Sequence, residues 1–322
     1  MNDKPEDRQL GLIMGLSAFV MWGFLPLYFY VLDDVPPDMM LAHRAVYSMI
    51  TGAGLILIGG NWRQMESLLA DRRSMWLLLL SGTLIGGNWL IYIWAVQNDR
   101  VIEASLGYFI NPLFNFLVGA VLFGERFSKL QLLAILLAAL GVANQTLNVG
   151  QFPYVSIMLC LTFGFYGAIR KFVPVDSRVG FTMETTLLAP FALGYLVFQW
   201  SRGVQIYPDG TGHIVLLLMA GILTAAPLIF FALAARRLQL STIGVMQYLG
   251  PTIQLLLGVF LFKEAFTTDH MITFGLIWAG VGLFSYSAWR AERRARIRPP
   301  GTVIPPKRNP PEHEAAAGID KV

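Results

Sequence analysis

The stretch EASLGYFINPLFNFLVGAVLFGERF (103–127) is repeated in altered form as TIGVMQYLGPTIQLLLGVFLFKEAF (242–266). The two stretches align without a gap at a shift of 139 residues. Chance seldom aligns the residue types that this shift matches: Pro112 with Pro251, Gly119 with Gly258, Glu125 with Glu264 and Phe127 with Phe266. The alignment indicates that the chain contains an internal duplication.

The composition is too apolar for an ordinary soluble domain, with 55% hydrophobic and 14% charged residues. A helix needs roughly 20 mostly apolar residues to cross a membrane, because hydrocarbon cannot solvate the backbone. Apolar runs between charged or Pro/Gly-rich breaks predict ten such spans, at about 10–31, 39–59, 75–96, 104–123, 129–147, 153–171, 183–200, 214–235, 242–262 and 270–289.

Five spans separate each residue of the first stretch from its counterpart, so the second copy crosses the membrane in the opposite direction. The first two spans of each copy match more weakly, with Trp22-Gly23 facing Tyr166-Gly167. The predicted fold is all-α and polytopic, with ten transmembrane helices in two inverted five-helix repeats. The predicted boundaries are 9–147 and 148–289 for the repeats and 290–322 for a basic, Pro-rich, disordered cytoplasmic tail.

Basic residues predict the orientation, because short loops rich in Lys and Arg stay cytoplasmic. Of the 24 Lys and Arg residues, only Arg100, Arg202 and Lys263 fall in loops on the side opposite the N-terminus, and Arg44 lies within a span. Both termini are therefore expected in the cytoplasm. The net charge of +4 is explained by topology and contact with lipid, without a nucleic-acid partner.

Polar residues line one face of span four at helical spacing, and the 139-residue shift carries this face onto span nine. Uncharged polar groups at this depth must point away from lipid, toward either a neighbouring helix or a substrate cavity. The predicted cavity residues on spans three, four and nine are Asn88, Tyr92, Tyr108, Asn111, Asn115, Gln247 and Gln254.

Five further positions are candidates. Pro112 and Pro251 break a helical hydrogen bond and predict either gating kinks or plain curvature. His43 and Arg44 lie just inside the outer end of span two, where they contact either substrate or a helix, or where the Arg side chain snorkels to the surface. Glu103, at the outer mouth of span four, is the acid expected to touch substrate or protons.

Enzyme motifs are absent, including a Walker loop and HExxH, and the single Cys160 provides neither a disulfide nor a cysteine-based metal site. No catalytic residue, cofactor or metal is predicted. An integral-membrane enzyme that uses the region of His43 and Glu103 is the alternative class.

Several segments together resemble one family: Trp22-Gly23, His43-Arg44, Gly86-Gly87-Asn88-Trp89, Glu103 to Pro112, Gly124-Glu125-Arg126-Phe127, Phe165 to Lys171, Leu240 to Gly244 and Gln247 to Thr252. The chain resembles the RarD branch of the EamA, drug/metabolite transporter superfamily over about residues 9–289. One departure is Tyr47, where the family more often has Trp. The resemblance implies a ten-helix, multi-pass permease of the bacterial inner membrane, often named for chloramphenicol sensitivity. Relatives in the superfamily export amino acids, metabolites and drugs.

The expected function is movement of a small metabolite or drug-like molecule across the membrane by alternating access. Amino-acid-like and chloramphenicol-like substrates both stay open. Export is favoured over uptake, and proton coupling through Glu103 or His43 stands beside facilitated diffusion. A monomer and a homodimer fit the sequence equally.

Overall fold

A computed structural model of the protein describes residues 5–123, 128–148, 150, 152–173, 175–238 and 240–297. These residues form thirteen α-helices and one π-helical turn: α1 (Pro5–Val31), α2 (Pro37–Gly59), α3 (Trp62–Ala70), α4 (Arg72–Gln97), α5 (Val101–Phe123), α6 (Lys129–Leu147), α7 (Tyr154–Arg170), α8 (Ser177–Ser201), α9 (Thr211–Leu218), α10 (Ala220–Ala235), α11 (Leu240–Met246), α12 (Leu249–Leu256), the π turn (Leu257–Leu261) and α13 (Thr268–Ile297). The described part of the chain contains no strand.

The all-α membrane fold is confirmed. Eight helical segments of the described residues are long and apolar enough to cross a membrane, and the apolar helix Tyr154–Arg170 is shorter. Together with α13, they occupy all ten predicted spans. The helix α13 continues to Ile297, so the predicted tail begins as an extension of this helix. The rest of the tail, 298–322, lies outside the described residues.

Three features depart from ten plain spans. The short helix α3 lies between α2 and α4, where the sequence predicted only a loop. The eighth span is divided at Met219 into α9 and α10, and the ninth is divided at Gln247 and Tyr248 into α11 and α12. The ninth span then passes into the π turn, whereas its counterpart α5 is one helix. The two halves therefore differ most in their fourth spans.

Polar side chains cap several helices where they enter the fold. Asp71 accepts a hydrogen bond from the backbone N–H of Arg73 at the start of α4, and Asp176 accepts one from Arg178 at the start of α8. Ser128 and Gln131 form a reciprocal capping box at the start of α6. Each cap satisfies N–H groups that lack a partner within the helix.

The helices of the two halves pack against each other in reciprocal pairs. Helix α4 packs on α7 as its counterpart α10 packs on α1, and α5 packs on α7 as α12 packs on α1. The second long helices, α2 and α8, pack on each other, and so do the last ones, α6 and α13. Most close helix contacts therefore join one half to the other.

Two carboxylates also cross between the halves. Glu264 accepts hydrogen bonds from the N–H groups of Val101 (2.6 Å) and Ile102 (2.8 Å) at the start of α5. Glu103 accepts one from the N–H of Val155 (2.9 Å) at the start of α7. A carboxylate is stabilised at a helix N-terminus by the helix dipole and the unpaired N–H groups. These contacts fasten the halves together at one end of the bundle.

Candidate functional site

Arg44 lies in the interior of the bundle, seven residues after α2 begins at Pro37 and hence roughly 10 Å along the helix. Its side chain does not snorkel, since only 5% of the residue is exposed. Its Nε donates a hydrogen bond to Oγ1 of Thr224 on α10 (2.9 Å), and its guanidinium carbon lies 4.3 Å from the ring centroid of Trp89. Its Nη1 is buried without a hydrogen-bond partner.

Aromatic residues of α1, α4 and α5 surround this guanidinium. The ring centroid of Phe29 lies 5.4 Å from it, and Tyr28, Tyr92 and Tyr108 are close enough to interact with its charge. The rings of Tyr92 and Tyr108 meet edge to face at 5.7 Å. The hydroxyl of Tyr92 is buried and has no hydrogen-bond partner. We call Phe29, Arg44, Trp89, Tyr92 and Tyr108 the Arg44 cluster.

No carboxylate neutralises the charge of this cluster within the described part of the chain. Every ion pair found there joins other groups, such as Arg100 with Glu103 (3.0 Å). A buried cation without a counter-ion is costly in a low-dielectric interior, which makes it a functional-site candidate in a membrane protein.

Asn88, beside this cluster, is fully engaged in helix packing. Its Nδ2 donates to the carbonyl of Leu159 (3.1 Å) and to Oγ1 of Thr162 (2.9 Å), both on α7. The hydroxyl of Tyr108 donates to its Oδ1 at 3.4 Å. Asn88 thus joins the first half to the second, as expected of an amide that bonds neighbouring helices.

Asn111, one turn after Tyr108, has the opposite character. The residue is 1% exposed, and neither its Oδ1 nor its Nδ2 has a partner. Asn115 is exposed instead, with its Oδ1 against Gly164 of α7. Pro112 lies within the uninterrupted helix α5.

The counterpart face on the ninth span is formed around the break between α11 and α12. Gln254 is buried, and its Nε2 donates to the carbonyl of Trp22 on α1 (3.0 Å) while its Oε1 has no partner. Gln247 is half-buried at the break itself, and Pro251 is buried in the first turn of α12. Helix breaks and π turns often mark functional sites, because they leave backbone groups available.

His43 points away from the Arg44 cluster, toward the loop after α8. Its Nε2 is bonded to the carbonyl of Ile206 (2.6 Å), and its ring lies 5.9 Å from that of Tyr47 and 5.0 Å from that of Tyr207. These residues border a mostly apolar cavity of about 190 Å³ between α2 and α8. The side chains of His43 and Arg44, although adjacent in sequence, therefore lie in different environments and do not form one site.

Glu103 is also occupied by structural contacts. One carboxylate oxygen accepts from the N–H of Val155, and the other accepts from Nη1 of Arg100 (3.0 Å). Its backbone carbonyl accepts from Ser156. The structure gives this acid the role of a cap for α7.

Sequence reasoning missed a second polar cluster and part of the first. Glu184 in α8 pairs with Arg170 (3.6 Å) and also accepts hydrogen bonds from Ser81 of α4 (2.6 Å) and Tyr166 of α7 (3.4 Å). Thr224, the partner of Arg44, was not singled out. The sequence feature that could have identified Thr224 is that it is the one hydroxyl residue in the very apolar eighth span.

Comparisons with known proteins agree with this architecture. The EamA-like transporter family model matches residues 9–144 and again residues 154–286. An "Uncharacterized transporter" of Vibrio cholerae is 42% identical, covering 92% of this chain and 98% of its own length. "Protein RarD" of Salmonella typhi is 40% identical, covering 91% of this chain and 99% of its own length.

A solved structure described only as "Crystal structure of protein" has a TM-score of 0.58 at 21% identity. It covers 88% of this chain and 98% of the solved chain, and this likeness supports the fold alone. The family match extends over most of the chain, and the resemblance to RarD proteins is confirmed by the curated relatives. The chain therefore belongs to the EamA-like transporter family, as a RarD-type multi-pass protein of the bacterial inner membrane.

Proposed function

We propose that this protein moves a small metabolite or drug-like molecule across the inner membrane by alternating access, with export favoured. The observation that carries the proposal is a set of buried polar atoms without partners, contributed by both halves: Nη1 of Arg44, the hydroxyl of Tyr92, the amide of Asn111 and Oε1 of Gln254. Each such atom costs about 1–3 kcal/mol while it is unpaired. A substrate that bonds to them removes this cost.

The packing of the two halves supports the mechanism. Because equivalent helix pairs recur across the interface, exchanging the roles of the halves produces a second arrangement of similar contacts. A site between the halves is then exposed to each side of the membrane in turn. We place the repeats at 9–147 and 148–289, with Pro112, Pro251 and the broken ninth span as the positions that bend.

The alternative of a membrane enzyme gains no support from the site. It requires His43 and Glu103 to act together, and the structure engages His43 with Ile206 and Glu103 with the start of α7. The same contacts weaken both residues as carriers of a transported proton. Facilitated diffusion needs no titrating group and is the simpler coupling for this site.

We place both termini in the cytoplasm, as the distribution of basic residues predicts. In a Cys160→Ser background, we expect an impermeant maleimide to label Asp209→Cys but not Arg72→Cys from outside intact cells. Both positions are exposed on the protein, so access to the reagent depends on the side of the membrane. The reverse labelling pattern would contradict the proposed orientation.

Transport is tested with purified protein in liposomes, using chloramphenicol, amino acids and organic acids, with and without a pH gradient. We expect saturable flux of at least one compound, reduced about two- to tenfold in Asn111→Leu and Gln254→Leu, because each loses a hydrogen bond to substrate. Asn148→Leu, which removes an exposed amide at the end of α6, is the control and should transport normally. Equal flux in all variants would refute the proposed site.

A further inference from the structure

We infer that the Arg44 cluster binds the carboxylate of an organic monoanion whose body is apolar or aromatic. This inference rests on the proposed function and names the substrate class of the same site. It begins from a guanidinium that is 5% exposed and has no acidic partner among the described residues. A ligand carboxylate supplies the missing negative charge.

The guanidinium has a donor without a partner for this bond. Nε is occupied by Thr224, but Nη1 has no partner. Arginine presents its N–H groups in a planar fork that matches a carboxylate. The unpartnered hydroxyl of Tyr92, whose side chain lies within electrostatic range of Arg44, is a second donor for the carboxylate oxygens.

The charge of the cluster indicates a monoanion. None of the ion pairs in the described part of the chain involves Arg44, and its ionisable neighbours Tyr28, Tyr92 and Tyr108 are phenols. One positive charge balances one carboxylate, whereas a phosphate dianion would retain excess negative charge in a low-dielectric interior. No acid of the cluster is available to balance a ligand ammonium group, so a plain acid fits better than a zwitterion.

The walls of the cluster indicate the body of the ligand. Phe29 and Trp89 flank the guanidinium, and Tyr92 and Tyr108 continue the aromatic surface along α4 and α5. Aromatic walls bind apolar groups through burial and ring contacts. They leave the carboxylate as the one charged group that the site recognises.

Arg100 provides an internal comparison. Its guanidinium also lies over aromatic rings, 5.7 Å from Trp94 and 5.0 Å from Tyr154, but it is paired with Glu103 at 3.0 Å. In Arg100, therefore, the charge of the guanidinium is balanced by a carboxylate of the same chain. Arg44 lacks that carboxylate and so has the donor free for a ligand.

The test compares acids with their neutral amides on purified protein in detergent at neutral pH. The pairs are isobutyrate and isobutyramide, phenylacetate and phenylacetamide, and 3-phenylpropionate and 3-phenylpropanamide. We expect the parent protein to bind at least one acid about tenfold or more tightly than its amide, because hydrogen bonds to a charged group are the strong ones. Arg44→Gln should abolish this preference, Arg44→Lys should retain part of it, and Arg100→Gln should retain all of it.

A second measurement, the increase in thermal stability of the parent protein when the acid or the amide is added, does not depend on the variants. If Arg44→Gln does not fold, the acid must still stabilise the parent protein more than the amide does. No acid preference in any pair for the parent, or an acid preference that survives in Arg44→Gln, overturns the inference. Flux of neutral chloramphenicol that is lost in Asn111→Leu and kept in Arg44→Gln overturns the anion site alone and leaves the proposed transport intact. Absence of flux for every compound refutes the transport proposal itself.

Discussion

The second long helices of the two halves bury residues of opposite charge, Arg44 in α2 and Glu184 in α8, and the two residues have contrasting environments. Glu184 in α8 is 2% exposed and is surrounded by Ser81, Tyr166 and Arg170. Arg44 in α2 is 5% exposed and has one hydrogen bond, aromatic neighbours and a donor without a partner. The helices α2 and α8 pack on each other, but Arg44 is bonded to Thr224 of α10, whereas the partners of Glu184 lie on α4 and α7.

The contrast separates a buried charge that stabilises the fold from one that is available to a ligand. A buried carboxylate whose partners come from the same chain is complete without ligand, and removal of its charge leaves an unpaired arginine behind. A buried guanidinium without an acid is incomplete, and its charge is balanced only when another molecule binds. Stability measurements on matched variants test this distinction.

The largest loss of stability is expected for Glu184→Ala. This change leaves Arg170 without its carboxylate and removes the acceptor for Ser81 and Tyr166. Breaking a buried ion pair costs about 3 kcal/mol or more of unfolding free energy. Denaturant unfolding in detergent measures the loss, with the exposed Glu66→Ala as control. Equal stability of the two variants would show that the Glu184 cluster is not a structural unit.

The next largest effect is expected at Gly221, where α10 crosses α2. A Cβ there would overlap the backbone carbonyl oxygen of Tyr47, so the helices must separate in Gly221→Ala. At the matched position in the first half, a Cβ on Gly82 would lie 3.4 Å from the carbonyl of Glu184. We expect Gly221→Ala to lower the unfolding free energy by about 2–3 kcal/mol and Gly82→Ala by less than 1 kcal/mol. Similar losses in both would show that the two crossings are equally close.

A smaller difference is expected between two asparagines of the first half. Asn88→Leu removes bonds to Leu159 and Thr162 and should cost about 1–3 kcal/mol of unfolding free energy. Asn111→Leu removes an amide without partners and should leave stability within about 0.5 kcal/mol of the parent or above it. Thermal unfolding of both variants provides the measurement. A large loss in Asn111→Leu would mean that its amide serves packing and not substrate.

The smallest effect on stability is expected for Arg44→Met. The change loses the bond to Thr224 and the contact with Trp89, but it also removes an unbalanced buried charge. We expect these terms to offset to within about 1 kcal/mol of unfolding free energy, while the preference for acids disappears. A loss of stability comparable to that of Glu184→Ala would show that Arg44 is required for folding and contradict this prediction.

Particular residues show how far sequence reasoning reached. The spans were predicted well because a run of roughly 20 apolar residues is a local property of the chain. The division of the eighth span at Met219 left no signal, because apolar residues continue on both sides of it. Asn88 and Asn111 were both predicted as cavity residues, but Asn88 donates to acceptors on α7 whereas the amide of Asn111 has no partner.

For the acidic and basic candidates, the sequence pattern predicted the position in a span but not the contacts of the side chain. Glu103 was placed at the mouth of a span, but its partner Val155 is distant in sequence, and only the packing of α5 on α7 brings them together. For Arg44, the sequence left snorkelling and an interior contact equally open. The position of α10 decided between them, because Thr224 accepts the bond from its Nε.

The membrane class, the ten helical spans and the duplicated pattern can be read from the chain alone, because backbone solvation and helical periodicity act over neighbouring residues. Which buried polar groups are satisfied depends on the packed helices, because the partners lie on helices of the opposite half. Partner atoms are separated by 180 residues for Arg44 and Thr224 and by 103 for Ser81 and Glu184. Contacts over such distances depend on how the two halves pack, and that packing leaves the Arg44 cluster incomplete while it completes the environment of Glu184.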